Sequence, residues 1–278
     1  MTTIKQPDDT DFVQTYSDAG WAVAEIFEPS ELEEFSRVFH DLLKMQMRKM
    51  GIAATGDVGR DVVALNGQGS RFLSECLVMA RNTAAGHRLA GSARLNALSR
   101  SLLAEQGEAS DTLLVSGPSF FVNIPQNNQR KYTWHSEQSW YPKRRNFLNV
   151  WCPILADRMN GSSMAVMSGS HKKDWFYFSE YTGYDGEFVA DANVQYEIPE
   201  SFVTDYQSVV PDVKQGHGLF FNGKLVHRSL DLPGSTPYFT MVFRVFDYAE
   251  DLTLSADWAD IPYNRKSLGF PEINVSAA

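Results

Sequence analysis

Hydrophobic positions follow two different patterns along the chain. Up to about residue 108, apolar residues recur three or four positions apart, which is the period of an amphipathic helix. From Thr112 onward, short runs of β-branched and aromatic residues are separated by glycine, proline and asparagine, as is typical of strands joined by turns. The pattern therefore predicts a β-rich core with helices appended mostly on its N-terminal side.

The N-terminal part is expected to begin with a strand and a long helix. Residues 20–27 alternate enough to predict a short strand, and Pro29 and Ser30 mark the start of a helix. Ser30 has capping-box spacing with Glu33. Apolar residues then share one face to about Met50, and two or three further helices are predicted before the β-rich part.

The β-rich part contains several strand-like runs. They lie at 113–115, 120–124, 147–154, 164–167, 218–221 and 238–246. Residues 170–215 are rich in tyrosine and acidic side chains, which predicts a long insertion between strands. Such an insertion can serve as a lid or a substrate-recognition segment, and it can equally be a variable surface loop.

No repeat or linker divides the 278 residues, so we expect one domain over 1–278. Within it, a mostly helical part covers about 1–110, the β core about 111–250, and a tail 251–278. The mixture predicts a mainly β fold with appended helices.

Composition narrows the classes of partner. Lysine and arginine total 25 against 34 acidic residues, for a net charge of −9, so the overall field repels phosphate backbones and we expect no nucleic-acid partner. The basic clusters at 129–131 and 143–145 can attract a small anionic ligand or be solvated loops. Cys76 and Cys152 lie in apolar runs and are expected to be small buried side chains.

The sequence gives no sign of a targeting or membrane segment. The N-terminus lacks an apolar signal-peptide core, and no uncharged apolar run reaches the roughly 18 residues of a membrane span. We therefore expect a soluble, cytoplasmic protein with a small-molecule substrate and no membrane partner. The oligomeric state is not predicted by any pattern.

One histidine has a carboxylate two positions away in a strand-like context. On an extended backbone, His135 and Glu137 project from the same face and can address one metal ion. His227 follows an apolar strand and is the candidate for a second imidazole. Two histidines and one carboxylate leave positions for a cosubstrate and dioxygen on a non-haem iron, although zinc hydrolases use the same ligand types. An isolated His-x-Glu is also often only a hydrogen-bonded surface pair.

Five segments together resemble the phytanoyl-CoA dioxygenase family. They lie at 20–32, 134–137, 148–154, 160–172 and 218–229, and the likeness continues into the strand that reaches Arg244. The Asn-Gly and Gly-Ser-His-Lys segment within 160–172 is its most specific part. The resemblance implies a double-stranded β-helix, the jelly-roll or cupin-like fold, that binds Fe(II) and 2-oxoglutarate.

The resemblance assigns the iron to His135, Glu137 and His227 as catalytic metal ligands. Aspartate is the usual acidic ligand in the family, and glutamate adds one methylene while still permitting coordination. The implied reaction consumes O2 and 2-oxoglutarate, releases succinate and CO2, and oxidises a small-molecule or carrier-linked metabolite. Hydroxylation is the default outcome, with desaturation, epoxidation or ring formation open on the same scaffold.

The resemblance also implies a cosubstrate pocket. Ser229, Asn123 and Tyr141 match positions that line it, and their hydroxyl and amide donors suit a buried carboxylate. Where the family has a cosubstrate-binding arginine, this chain has Tyr238. Arg244 shares strand parity with Tyr238 and is the nearest cation on that strand, although six residues of strand span about 20 Å.

Aromatic residues near the metal motifs are candidates for the pocket wall. Trp134, Trp140 and Trp151 are close to the ligands in sequence, and Trp140 is the one assigned here to substrate contact.

Two other classes of function stay open. The tyrosine at 238 allows a binding or regulatory protein that keeps the fold without turnover. The ligand types allow a cupin-like, metal-dependent isomerase or hydrolase.

Overall fold

The computed structural model describes residues 9–104, 112–124, 132–141, 146–155, 163–175, 180–182, 195–230 and 236–247. The α-helices in these ranges are α1 (Asp9–Ala19), α2 (Pro29–Lys49), α3 (Val58–Gly67), α4 (Ser70–Arg81), α5 (Ala84–Ala90) and α6 (Ala93–Ala104). The strands are β1 (Trp21–Glu25), β2 (Leu113–Asn123), β3 (Phe147–Leu155), β4 (Met164–Ser168), β5 (Glu180–Thr182), β6 (Gln195–Glu197), β7 (Gln207–Val209), β8 (His217–Asn222), β9 (His227–Ser229) and β10 (Tyr238–Asp247). The tail and both basic clusters lie outside the described residues.

Antiparallel sheets form the core. The major sheet has the order β1-β8-β3-β10-β2, and the minor sheet has the order β7-β4-β9. Strands β5 and β6, within the expected insertion, form a separate pair. Since β1 lies between α1 and α2 in the chain yet pairs with β8, the helical part and the β part share one sheet.

The helices cover the outer face of the major sheet. On α2, Phe35 and Phe39 both meet the ring of Phe120 on β2 edge-on, with centroids 5.0 Å apart in each pair. On α1, Phe12 packs on Phe220 of β8 at 5.3 Å. These aromatic contacts bury the apolar stripe of each helix, which is the main source of helix stability in a folded protein.

The inner face of the major sheet packs against the minor sheet. Trp151 and Phe221 of the major sheet join Met164 and Val166 of β4 in one buried cluster. Side chains alternate along each strand, so the same strands supply the helix-facing core and this inter-sheet core. The inner face is where the candidate ligands meet.

Three local expectations require correction. Helix α2 is capped by Glu28, whose capping box is completed by Glu31, because the helix begins at Pro29; Ser30 and Glu33 do not form the box. Helix α1 was not predicted, since it buries only a few large apolar side chains. Within residues 50–104, four helices rather than two or three follow α2, because α3 lies in a glycine-containing stretch with little apolar periodicity.

Both cysteines are buried and free, as the sequence predicts. Burial raises the pKa of the Cys76 thiol to about 11, so the thiol stays protonated at neutral pH. Burial also raises the pKa of the Cys152 thiol.

Candidate active site

The three predicted ligands come together in the interior. One ligand atom from each of His135, Glu137 and His227 lies within 4.8 Å of the others, and all three residues are buried. His135 and His227 form an antiparallel bridge, with N–H donation in both directions at 3.0 and 2.9 Å. Their ring centroids are 4.1 Å apart. Backbone pairing therefore brings both imidazoles to one point.

Backbone carbonyls orient the two imidazoles. Nδ1 of His135 lies 2.7 Å from the carbonyl oxygen of Thr133, and Nδ1 of His227 lies 3.0 Å from that of Leu225. A carbonyl oxygen only accepts, so each Nδ1 carries the hydrogen and each Nε2 keeps a lone pair. Both rings thus present Nε2 as the metal-binding atom, in the arrangement typical of metal-bound histidines.

Glu137 reaches the site from a turn rather than from a strand. The backbone is extended at Ser136, and Glu137 then begins a 3-10 turn that ends at Ser139. The expected extended geometry therefore holds only up to Ser136. The turn is fixed to the β8–β9 connection, because the Ser136 hydroxyl and the Gln138 N–H both donate to the carbonyl of Gly223 at 3.0 Å.

Arg244 holds one oxygen of the Glu137 carboxylate. Its Nε donates to Oε2 of Glu137 at 3.0 Å, and the two side chains retain 22% and 10% of their exposure. This bond holds the carboxylate beside the two imidazoles. Arg244 also lies beside the ring of Tyr141, with 5.9 Å from the guanidinium carbon to the ring centroid.

The site contains one negative side chain, Glu137, and one positive side chain, Arg244, beside two neutral imidazoles. Burial lowers the pKa of His135, and burial with the neighbouring imidazole lowers the pKa of His227 to about 3, so both rings are neutral at pH 7. Burial opposes ionisation of Glu137, but the combined effect of Arg244, His227 and His135 outweighs it and lowers the pKa of Glu137. Burial opposes the charge of Arg244, yet Glu137 keeps the pKa of Arg244 above its ordinary value.

The Gly-Ser-His-Lys segment at 169–172 is hydrogen-bonded to Val226, the residue before His227. The Ser170 hydroxyl oxygen accepts from the N–H of Val226 at 2.9 Å, and the Ser170 carbonyl accepts from the indole of Trp175 at 2.7 Å. His171 fills the space where Gly20, at a φ of 82°, would carry a Cβ. The segment therefore joins the start of β1 to the strand that carries the distal histidine.

The residues expected around the cosubstrate lie near the metal ligands in different degrees. Trp140 meets the His135 ring edge-on, with centroids 5.4 Å apart. Tyr141 packs on Phe147 and Phe246. Ser229 shares the face of β9 with His227, and its hydroxyl accepts from the N–H of Tyr132 at 3.2 Å.

Asn123 and Tyr238 are paired across β2 and β10, toward one end of the inner face. The Tyr238 ring stacks on Trp151 with centroids 5.9 Å apart, and burial raises its pKa. Its hydroxyl lies beside Ser163 without meeting hydrogen-bond geometry with any described residue. The assignments of Asn123, Tyr141, Ser229, Trp140 and Arg244 to ligand contact stay predictions.

Two further aromatic residues contact the ligand histidines, and no motif in the sequence assigns a role to either of them. The Phe221 ring lies 4.7 Å from that of His227, and the Tyr132 ring lies 5.2 Å from that of His135. Because side chains alternate along a strand, Phe221 is expected on the same face of β8 as Leu219. That its ring contacts His227 is known only from the fold.

The donor set fits Fe(II). Two neutral imidazoles and one carboxylate form the ligand set of non-haem iron oxygenases, which leaves other coordination positions for exogenous ligands. Aromatic rings pack on both histidines and would keep bulk water away from a metal held there. Across the described part of the chain, no helix combines the length and apolar character needed to cross a membrane.

The fold of this chain is similar to that of several solved structures. EctD from S. alaskensis, solved with 2-oxoglutarate and 5-hydroxyectoine, matches with a TM-score of 0.56 and 16% identity over 86% of this chain and 76% of that chain. The α-ketoglutarate-dependent epimerase SnoN from nogalamycin biosynthesis matches with a TM-score of 0.54 and 12% identity over 86% and 83%. The non-heme monooxygenase ThoJ, as a nickel complex, gives 0.52 and 13% over 85% and 77%.

These likenesses establish the double-stranded β-helix core that the sequence predicts. No curated protein matches the chain. The family model described as phytanoyl-CoA dioxygenase (PhyH) matches residues 18–232, which is most of the chain. With its buried two-histidine, one-glutamate site, the chain belongs to the phytanoyl-CoA dioxygenase family of iron(II)- and 2-oxoglutarate-dependent oxygenases.

Proposed function

We propose that the protein hydroxylates, or otherwise oxidises, a small-molecule or carrier-linked metabolite while converting 2-oxoglutarate and O2 to succinate and CO2. The observation that carries the proposal is the convergence of His135, Glu137 and His227 within 4.8 Å in the interior of the fold. Hydroxylation is the default outcome for this ligand set.

The charges at the site support a dianionic cosubstrate. A divalent metal, the Glu137 carboxylate and the Arg244 guanidinium together leave two positive charges, which a dicarboxylate neutralises. Arg244 therefore supplies at the metal the positive charge that the family has at the position of Tyr238. A buried carboxylate is strongly disfavoured without a nearby cation or hydrogen-bond donor, so this compensation favours cosubstrate binding.

Polar residues on the inner face extend this support. Ser229 lies two residues beyond His227 on the same side of β9, which suits hydrogen bonding to the distal carboxylate of 2-oxoglutarate. Asn123 at the end of β2 and Tyr141, just after the 3-10 turn of Glu137, supply further hydrogen-bond donors. We propose all three as cosubstrate contacts, with Arg244 beside the metal end.

The chain's own part in the reaction is to orient the three metal ligands and to exclude water from the site. When bound, iron with 2-oxoglutarate supplies the oxidising chemistry by activating O2. Thr133 and Leu225 fix the two imidazoles through their carbonyls, and Arg244 fixes the carboxylate. Trp140 stands against His135, where it can meet the substrate and limit access of water.

The test is an oxygen-free titration of the purified protein with Fe(II) and 2-oxoglutarate. We expect a weak visible charge-transfer band that saturates with 2-oxoglutarate and is lost in Glu137→Ala. The matched control is His87→Ala, an exposed histidine on α5, which should keep the band. No band at saturating concentrations of both ligands would contradict the proposal.

One observation favours a second candidate. Tyr238 stands where a cation is expected, which is compatible with a binding or regulatory member of the family that does not turn over. Succinate formation without added substrate, measured with excess Fe(II) and O2, separates the two. A binding protein yields no succinate above the level of the Glu137→Ala variant.

A further inference from the structure

Asn149 is a buried polar residue with no assigned role. It lies in the middle of β3 with 0% of its surface exposed, and within the part of the chain that the structure describes neither its amide nitrogen nor its amide oxygen has a hydrogen-bond partner. Buried side-chain amides are nearly always hydrogen-bonded, because an unpaired donor or acceptor destabilises the fold. An unpaired amide in the middle of a strand therefore favours a bound ligand or an ordered water as its partner.

The strand register directs Asn149 toward the metal site. Asn149 is directly opposite Phe221 on β8 and directly opposite Arg244 on β10, and opposed residues project from the same face of a sheet. The Phe221 ring lies 4.7 Å from that of His227, and Arg244 donates to Glu137. Asn149 thus lies between two residues that each contact a metal ligand.

The neighbours of Asn149 along the strand face the other way. Leu148 and Val150 are fully buried in the core cluster that contains the helices. A role for the amide in helix packing is therefore excluded by strand alternation. Because both amide atoms lack a partner among the described residues, the conclusion is the same whichever atom is the oxygen.

We propose that Asn149 binds the cosubstrate by donating an amide N–H to a carboxylate of 2-oxoglutarate. The inference rests on the proposed function, which places 2-oxoglutarate at this metal. A neutral donor is suited to the place, since Arg244 already supplies positive charge in the same row of side chains.

The test compares the wild type with Asn149→Leu, a replacement of similar size that removes both polar atoms. The affinity of the Fe(II)-loaded protein for 2-oxoglutarate is measured by oxygen-free calorimetry, and the Tm of the metal-free protein is measured separately. We expect affinity for 2-oxoglutarate to fall roughly 10- to 100-fold, the usual effect of losing a hydrogen bond to a charged group. We expect the Tm to be unchanged or higher, because an unpaired buried amide is removed.

A matched control and a second variant sharpen the result. Val150→Ala, on the same strand but facing the helices, should lower the Tm and leave the affinity for 2-oxoglutarate unchanged. Asn149→Val, whose branched side chain suits a strand, replaces Asn149→Leu if the leucine variant does not fold.

The outcomes separate this inference from the proposed function. If the wild type binds 2-oxoglutarate and the Asn149 variants bind it within about twofold, the amide is satisfied by water and the inference is overturned while the proposed function stands. If the wild type itself binds no 2-oxoglutarate in the presence of Fe(II), both fail. A selective loss of affinity with the Tm retained supports the inference.

Discussion

The guanidinium of Arg244 and the carboxylate of Glu137 form an ion pair of 3.0 Å between residues 107 positions apart in the chain. The pair joins β10 of the major sheet to the turn that follows His135. It fixes one oxygen of the Glu137 carboxylate. The extra methylene of glutamate, compared with aspartate, is thereby held in one conformation.

Arg244→Leu should destabilise the metal-free protein by about 3 kcal/mol, because it leaves a largely buried carboxylate without its cation. Fe(II) should restore most of this loss, since the metal takes over the charge of Glu137. Chemical denaturation with and without Fe(II) under argon measures both effects. The control is Arg88→Leu, which breaks an exposed pair with Glu34 and should cost about 1 kcal/mol or less with no response to iron. Equal losses in the two variants would contradict this role.

Ser170→Ala should weaken the support of the distal ligand. The change leaves the buried N–H of Val226 without its acceptor, which costs about 1–3 kcal/mol in unfolding free energy. Iron affinity should fall with it, because Val226 precedes His227. Urea denaturation and iron titration measure the two effects. Ser201→Ala, at an exposed position, should change neither the unfolding free energy nor the iron affinity. If the two variants behave alike, the Ser170 bond to Val226 does not stabilise the site.

Gly223→Ala should disturb the turn that positions both ligand segments. An added Cβ would lie 2.1 Å from Cζ of Phe147, and overpacking of this kind costs about 1–3 kcal/mol. Since the Gly223 carbonyl accepts from Ser136 and Gln138, iron affinity should also fall. Gly67→Ala on α3 has no atom within 4 Å of the added Cβ and serves as the control. If Gly223→Ala binds iron with wild-type affinity, the bonds to the Gly223 carbonyl do not position the metal ligands.

The metal-free protein should lose stability as the pH falls below 6.5. The folded state lowers the pKa of His227 from its ordinary 6.5 to about 3, so the unfolded chain takes up a proton that the folded chain does not. The titration of His227 therefore leaves the free energy of unfolding unchanged above pH 6.5 and lowers it progressively from pH 6.5 toward pH 3. Urea denaturation on both sides of pH 6.5 measures it. His227→Gln should flatten the dependence, and an unchanged slope in that variant would contradict the assignment.

The ligand set was predicted because two signals agree: His135 and Glu137 stand two residues apart, and the segments that resemble the family include His227 after an apolar strand. Local spacing alone was not enough, since an isolated His-x-Glu is often a hydrogen-bonded surface pair. The turn at Glu137 was not predictable in this way, since it depends on hydrogen bonds from Ser136 and its neighbour to Gly223 on a distant connection.

The partners of the ligands required the fold. Arg244 was considered from sequence only relative to Tyr238 on its own strand, where separation along the strand is the only available distance. Its contact with Glu137, and the position of Asn149 between Phe221 and Arg244, follow from strand order and register, which pair residues far apart in the chain. Helix α1 was missed for the opposite reason, since its local apolar signal is weak.

The most direct measurement is anomalous diffraction at the iron absorption edge from crystals grown without oxygen in Fe(II) and 2-oxoglutarate. We predict one strong peak within coordination distance of Nε2 of His135, Nε2 of His227 and a carboxylate oxygen of Glu137, with 2-oxoglutarate density beside it. A peak elsewhere, or fully loaded crystals with no peak between these three side chains, would contradict the assignment of the metal centre.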